Sequence, residues 1–158
     1  MSIPTEVRDY IAYDAATGKF HWTKTKGCRS AGDEAGCVNN RGYVVVSFGR
    51  QKLFGHRLAW FLMTGSQPPA LIDHKDGDPA NNVWVNLRAA DKSQNGANRK
   101  AQRPIGKGIL ARPDGRFAAQ ICVRGRHKHL GTFATIEAAS AAYEAAAREG
   151  FGEFARAA

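Results

Sequence analysis

The 158-residue chain carries 23 Lys/Arg against 14 Asp/Glu, a formal charge of +9 and a pI near 9.8. That length allows one ordinary domain or two small ones; no stretch nears the roughly 20 apolar residues of a membrane span, and Glu6, Arg8 and Asp9 replace the apolar heart of a secretory signal. Cys28, Cys37 and Cys122 are odd in number and widely spaced, which fits neither a disulfide framework nor paired zinc knuckles and predicts buried or idle thiols in a reducing cytosol.

Three segments lead the chain, two β-rich and one helical. Tyr13–Trp22 reads as a hairpin around Thr17-Gly18. Gly42–Phe48 is β-branched and aromatic, and Gly49–Lys52 turns it into Leu53-Phe54. His56–Thr64 has helical character and ends at Gly65, with Leu58, Trp60, Phe61 and Met63 as its core face, His56 satisfied locally and Arg57 available to a phosphate. Pro68-Pro69 then stops the helix and sends Leu71-Ile72 out as a strand.

The richest stretch follows. Leu71–His74 is expected as a strand, Lys75–Asn82 as a loop and Val83–Arg88 as the return strand. A helix over Ala90–Arg99 follows, capped by Asp91. This ββα unit sets a carboxylate (Asp73) beside an imidazole (His74), then asparagines at Asn81, Asn82, Asn86, Asn95 and Asn98. Histidine is the side chain suited to taking a proton near neutral pH, and Mg2+ prefers oxygen donors while keeping several waters. Asp76-Gly77-Asp78 lacks the ligand series of a calcium-binding loop.

Asp73-His74 followed by Asn86-Leu87-Arg88 and Gln94-Asn95 with Asn98 resembles the catalytic motif of the HNH endonucleases, closest to the phage and group I intron homing kind. His56-Arg57-Leu58-Ala59-Trp60 matches the segment that commonly precedes it. The resemblance implies a ββα-metal (His-Me finger) unit in which His74 is the general base. Asp73 and Asn95 hold one divalent ion, Mg2+ with Mn2+ as the alternative, and no structural zinc is expected. It makes Asn86 the residue that fixes the loop and the imidazole through hydrogen bonds. Asn98, three residues after Asn95 on nearly the same helix face, is an alternative ligand that the sequence does not separate from it. Adjacent strand residues point to opposite faces, so Asp73 and His74 aim together only at a twisted or bulged strand end. Asn82 is expected to satisfy loop backbone groups.

After a basic linker at 99–106, Gly108–Ala111, Phe117–Val123 and Lys128–Phe133 read as three strands, with turns at Pro113–Gly115 and Arg124–Arg126. Thr135 caps an alanine-rich helix, Ile136–Arg148, closed by Gly150. Residues 99–158 hold 11 Lys/Arg against 5 acids, residues 1–98 hold 12 against 9, so the shorter part carries more net charge. Such a bias marks a polyanion contact. Lys107-Gly108-Ile109, Gly115–Ile121 and above all Leu130-Gly131-Thr132-Phe133 resemble the Apetala-two-type DNA-binding domain. That resemblance implies a sheet in the major groove, with Lys107, Arg112, Arg116, Phe117, Gln120, Arg124, Arg126, Lys128 and His129 as contact candidates. Phe117 and His129 stand where the plant pattern has tryptophan, so its base preference does not transfer. Lys24, Lys26, Arg29, Arg41, Arg50 and Lys52 offer a further basic surface.

The expected fold is α+β: an endonuclease domain over 1–98, with the ββα unit near 70–99, the linker, and a three-strand-plus-helix binder over 107–158. The expected function is metal-dependent cleavage of double-stranded DNA by a monomer or homodimer without membrane attachment, in the cytoplasm of a bacterium harbouring a phage or mobile element. A DNA-binding regulator with an inactive nuclease unit is the alternative.

Overall fold

A computed structural model describes residues 2–25, 27–99 and 105–156; Lys26 and most of the expected linker lie outside the described residues. The chain divides into two compact units, Met1–Ala89 and Ala90–Ala158, both mixed α/β with small antiparallel sheets. The expected division fell after residue 98; the helix of the motif instead packs within the second unit.

In the first unit a 3₁₀ turn at Thr5–Asp9, absent from the sequence reading, leads into the hairpin β1 (Ile11–Tyr13) and β2 (Phe20–Trp22). A short β3 (Cys37–Val38) joins β4 (Val44–Phe48) and β5 (Gln51–Phe54) in one sheet. Alternation places Val46, Phe48 and Leu53 on the buried face, the period-two pattern of a half-buried sheet. Helix α1 (Gly55–Thr64) lies against β4, β5 and β1 and ends in a left-handed Gly65, whose N–H caps the Phe61 carbonyl. Its core face is Leu58, Ala59 and Phe61; Met63 is 45% exposed rather than buried, because it falls on the solvent side of the turn. The core gathers these with Ile3, Val7, Ile11, Phe20 and Leu87, each large side chain contributing about 1.5–3 kcal/mol on burial.

Strand β6 (Ile72–His74) pairs with β7 (Leu87–Ala89) in the register Ile72–Ala89, Asp73–Arg88 and His74–Leu87, with no bulge. The return strand is shorter than expected. Residues Trp84–Asn86 form a 3₁₀ turn instead, since β6 ends at His74 and the Asn81 and Asn86 side chains capture nearby backbone groups.

The second unit opens with α2 (Lys92–Ala97), shorter than the expected 90–99. Asp91 and Gln94 form a reciprocal capping box at its start. Strands β8 (Ile109–Ala111), β9 (Phe117–Val123) and β10 (Arg126–Phe133) make a sheet in the order β10–β9–β8. Arg124 and Gly125 both have positive φ (49° and 80°), as a two-residue turn of primed type requires. Helix α3 (Ile136–Phe151) packs on all three strands, mostly β9 and β10. It runs past Gly150, which sits against Val123, and ends at Gly152 with φ 54°. Gly108 allows the closest approach in this unit: a Cβ there would enter the Gln120 carbonyl and the Tyr143 ring.

Candidate active site

The loop between β6 and β7 is held from three directions. From the N-terminal hairpin, the Tyr13 hydroxyl donates to the Asn82 carbonyl (2.6 Å) and the Ala15 carbonyl accepts from the Trp84 N–H (3.0 Å). Burial and the Asp14 charge push the Tyr13 hydroxyl up to about 12, so it stays a donor. Gly18 in the same hairpin turn has φ 73°, and an added Cβ would stand 2.5 Å from the Val83 nitrogen. From α1, the Trp60 ring meets Trp84 at 5.3 Å. Within the loop, Asn86 accepts from the Asp76 N–H (3.1 Å) and donates to Asp76 Oδ1 (3.0 Å) and the Asn81 carbonyl (2.8 Å).

Asn86 is therefore the loop's internal brace. The hydrogen bond to the imidazole comes instead from Asn82: His74 Nε2 lies 3.4 Å from Asn82 Oδ1. Asn82 is 1% exposed, and its amide nitrogen donates to the Ala80 carbonyl at 3.0 Å. That bond turns the amide oxygen toward His74. An oxygen acceptor requires Nε2 to carry the ring proton, which leaves the lone pair on Nδ1.

His74 is buried, and burial pushes its imidazole below the ordinary value, against the opposing pull of the Asn82 bond and of Asp76, Asp73 and Asp78. Burial alone would raise Asp76, but bonds from the Asp78 N–H and the Asn86 and Asn81 amides together hold its carboxyl below the usual range. The result is a neutral imidazole with three carboxylates in electrostatic reach.

Asp73 is buried and faces Arg88 directly across the ladder. Arg88 Nε and Nη2 each donate to Asp73 Oδ2 at 2.9 Å. The carboxylate and amide oxygens of Asp73, Asn95 and Asn98 are hard donors, the chemistry that suits Mg2+. Asn95 and Asn98 belong to the second unit, Asn95 half-buried and Asn98 buried. No group of three or more His, Cys, Asp or Glu among the described residues could hold a metal.

Two neighbours of the motif behave differently from expectation. Arg57 is tied to the Pro69 carbonyl (3.0 Å), fixing the chain's approach to β6. His56 is not satisfied locally: its Nδ1 is buried without a hydrogen-bond partner. Burial, His74 and Arg57 push it down to about 3, so the ring is neutral. The sequence pattern offers no sign of the Arg88–Asp73 pair beyond the spacing of two short strands, which places residues 73 and 88 opposite each other only once the register is known.

In the second unit the contact candidates fall on different surfaces. Gln120 and His129 pair across β9–β10 on the face away from α3, whereas Lys128 and Arg126 pair with Ile121 and Val123 on the face that carries the core. All four are exposed, the last two near the hairpin tip. Phe117 is half-buried against Ile109, Ala119 and Ala139 and serves the core. Lys107 donates to the Ala97 carbonyl (2.5 Å), and burial followed by Arg156 lowers its ammonium below the usual range. Arg112 and Arg116 pair with Asp114. The exposed Arg124 donates its backbone N–H to Ser93 (3.0 Å). In the first unit, Lys24 and Arg29 lie over the Tyr10 and Trp22 rings. The three cysteines are exposed free thiols, not buried ones. No helix among the described residues is long and apolar enough to cross a membrane.

Residues 54–97, from the end of β5 through α2, match the HNH endonuclease family profile. The chain is also 31% identical over 112 residues to an uncharacterized HNH endonuclease of Acanthamoeba polyphaga mimivirus. That alignment takes in 70% of this chain and 59% of the relative's length. No solved structure matches. Both matches support an HNH-type nuclease unit around the β6–β7 loop; neither bears on the Apetala-two-type resemblance of the second unit.

Proposed function

We propose that the chain is a metal-dependent endonuclease that hydrolyses phosphodiester bonds in duplex DNA. The observation that carries this reading is the buried His74 imidazole, committed at Nε2 to Asn82 and adjoining Asp73 inside the segment that matches the HNH family. Nδ1 of His74 takes a proton from a water molecule, whose oxygen attacks the phosphorus as the bond to the 3′-oxygen breaks. The imidazolium formed is supported by the Asn82 oxygen and the carboxylates of Asp73, Asp76 and Asp78. Asp73 with Asn95, or Asn98, would hold one divalent cation, Mg2+ or Mn2+, which when bound neutralises charge on the phosphate and the leaving oxygen. Arg88 orients the Asp73 carboxylate.

Exposed Gln120 and His129, on the sheet face away from α3, then supply the duplex contacts of the second unit, with Arg124, Arg126 and Lys128 at the hairpin tip and Arg112 and Arg116 at its first turn. Lysine and arginine there hold phosphates and carry no sequence information. The setting proposed is the cytoplasm of a host cell, on the DNA of a phage or another mobile element.

One observation favours a second reading, a DNA-binding regulator with a silent nuclease unit: Arg88 already occupies one oxygen of Asp73. Supercoiled DNA incubated with Mg2+, Mn2+ or EDTA, beside His74→Ala, separates the two. Metal-dependent nicked or linear product that disappears in the variant supports the nuclease. DNA that is retarded on a gel but never cut, across a library of sequences, supports the regulator.

A further inference from the structure

His56, beside His74, has no part in the chemistry above. The two ring centroids are 5.2 Å apart and the planes meet at 77°, an edge-to-face contact. The same ring lies 5.5 Å from Tyr43 and 5.8 Å from Phe54, and Tyr43 also faces His74 at 6.3 Å. Because Nδ1 of His56 is buried and unpaired, hydrogen bonding through that atom does not keep the ring there. Burying an unpaired polar atom is unfavourable, and the ring contacts must outweigh it. The residue before it matters too. A Cβ at Gly55 would come 2.9 Å from Asn82 Nδ2, so the first turn of α1 is seated directly on the amide that holds His74.

We propose that His56 is a positioning residue for the general base, with the start of α1 acting as a two-sided clamp on the His74 ring. The edge-to-face contact sets the plane of the imidazole, and the Asn82 bond sets which nitrogen points outward. The two restraints depend on each other: a ring hinged only at Nε2 can tilt until the long 3.4 Å bond to Asn82 is lost and the tautomers mix, and a ring held only by its plane can flip. The part played by His56 is that of an aromatic ring of suitable size, not of a hydrogen-bonding group. The proposal rests on His74 being the base of the nuclease reading.

The test compares wild type with His56→Leu, which fills the volume without a ring, and His56→Phe, which restores one. Long-range nitrogen-15 to proton spectra of the metal-free full chain report the tautomer of His74. Single-turnover nicking with saturating DNA and Mg2+ reports the chemical step, and gel shift in EDTA reports binding. In His56→Leu the single Nε2–H pattern of His74 should give way to averaged ring nitrogens. The saturating rate should fall about 10- to 100-fold, as expected for a misplaced catalytic group, with binding unchanged. His56→Phe should restore both the spectrum and the rate. A His56→Leu protein with the wild-type spectrum and rate overturns the proposal, as does a His56→Phe protein as impaired as His56→Leu. The spectra need neither metal nor DNA, so a wild type that never cuts refutes the nuclease reading while the tautomer still decides the role of His56.

Discussion

Replacing Asn82 by Ala removes the partner of His74 Nε2 and tests the site most directly. Two side-chain bonds vanish: the 3.4 Å contact to His74 and the 3.0 Å bond to the Ala80 carbonyl. The first is long and therefore weak, but its loss leaves a buried N–H unpaired, so the combined destabilisation is about 1–3 kcal/mol. The Tyr13 bond to the Asn82 carbonyl is to the main chain and survives. The pH dependence follows from the direction of each effect. The Asn82 bond works to raise His74 while burial lowers it; without the bond the imidazole falls further and stays neutral to lower pH. The acid limb of the nicking rate should therefore shift toward lower pH, while the plateau drops about 10- to 100-fold because the ring no longer presents one nitrogen. Urea unfolding and a pH series of single-turnover nicking read both quantities. An acid limb that stays put with an unchanged plateau would refute the assignment of Asn82 as the holder of the base.

Arg88→Met removes the guanidinium paired with the buried Asp73 carboxylate, and breaking a buried pair costs about 3–5 kcal/mol; urea unfolding should register it, and a loss below about 1 kcal/mol would show that the pair behaves as a surface one. Gly18→Ala forces a Cβ toward the Val83 nitrogen at a left-handed position, so stability should fall by about 1–3 kcal/mol and nicking with it, whereas Gly49→Ala, with open space around it, should cost only the backbone strain. Stability should also depend on pH through the two imidazoles. Both are held below the ordinary 6.5, His56 to about 3, so the unfolded chain binds more protons than the folded one. The folded state should thus lose stability as pH falls from about 6.5 toward about 3 through His56, by up to about 1.4 kcal/mol per pH unit, and His74 adds a loss of the same sign below its ordinary value. Chemical denaturation across that range checks it, and His56→Phe should flatten the curve.

What could be read in the chain before its folding was the chemistry that depends on local pattern. Asp73-His74 with Asn86 announced a loop between two short strands through its resemblance to the HNH motif, and the Asp76–Asp78 and Asn81-Asn82 run is ordinary turn chemistry. Asp91 and Thr135 announced helix starts through their own side-chain caps. The rest depends on partners far away in sequence. Nothing local to Asn82 or His56 shows that they flank the same imidazole, since that pairing joins α1 to a loop some 20 residues on, after both are packed. Strand alternation in β9 and β10 likewise sorts Gln120 and His129 from Arg126 and Lys128, but which pair faces the core follows only from the β9–β10 register. Asn86 and Asn82 are the same residue type four positions apart, and only the burial of one against Gly55 tells the brace of the loop from the holder of the base.

The recognisable motif begins at residue 54, yet the loop it contains is stitched to Tyr13, Ala15 and Gly18. The heritable cassette is thus larger than its signature. A graft of residues 54–97 onto another scaffold would carry Asp73, His74, Asn82, Asn86 and Asn95 and arrive without the hairpin that braces the loop. During synthesis the hairpin waits for nearly 70 residues before the chain it supports exists. Change in that hairpin is therefore felt in a loop that lies far along the chain from it.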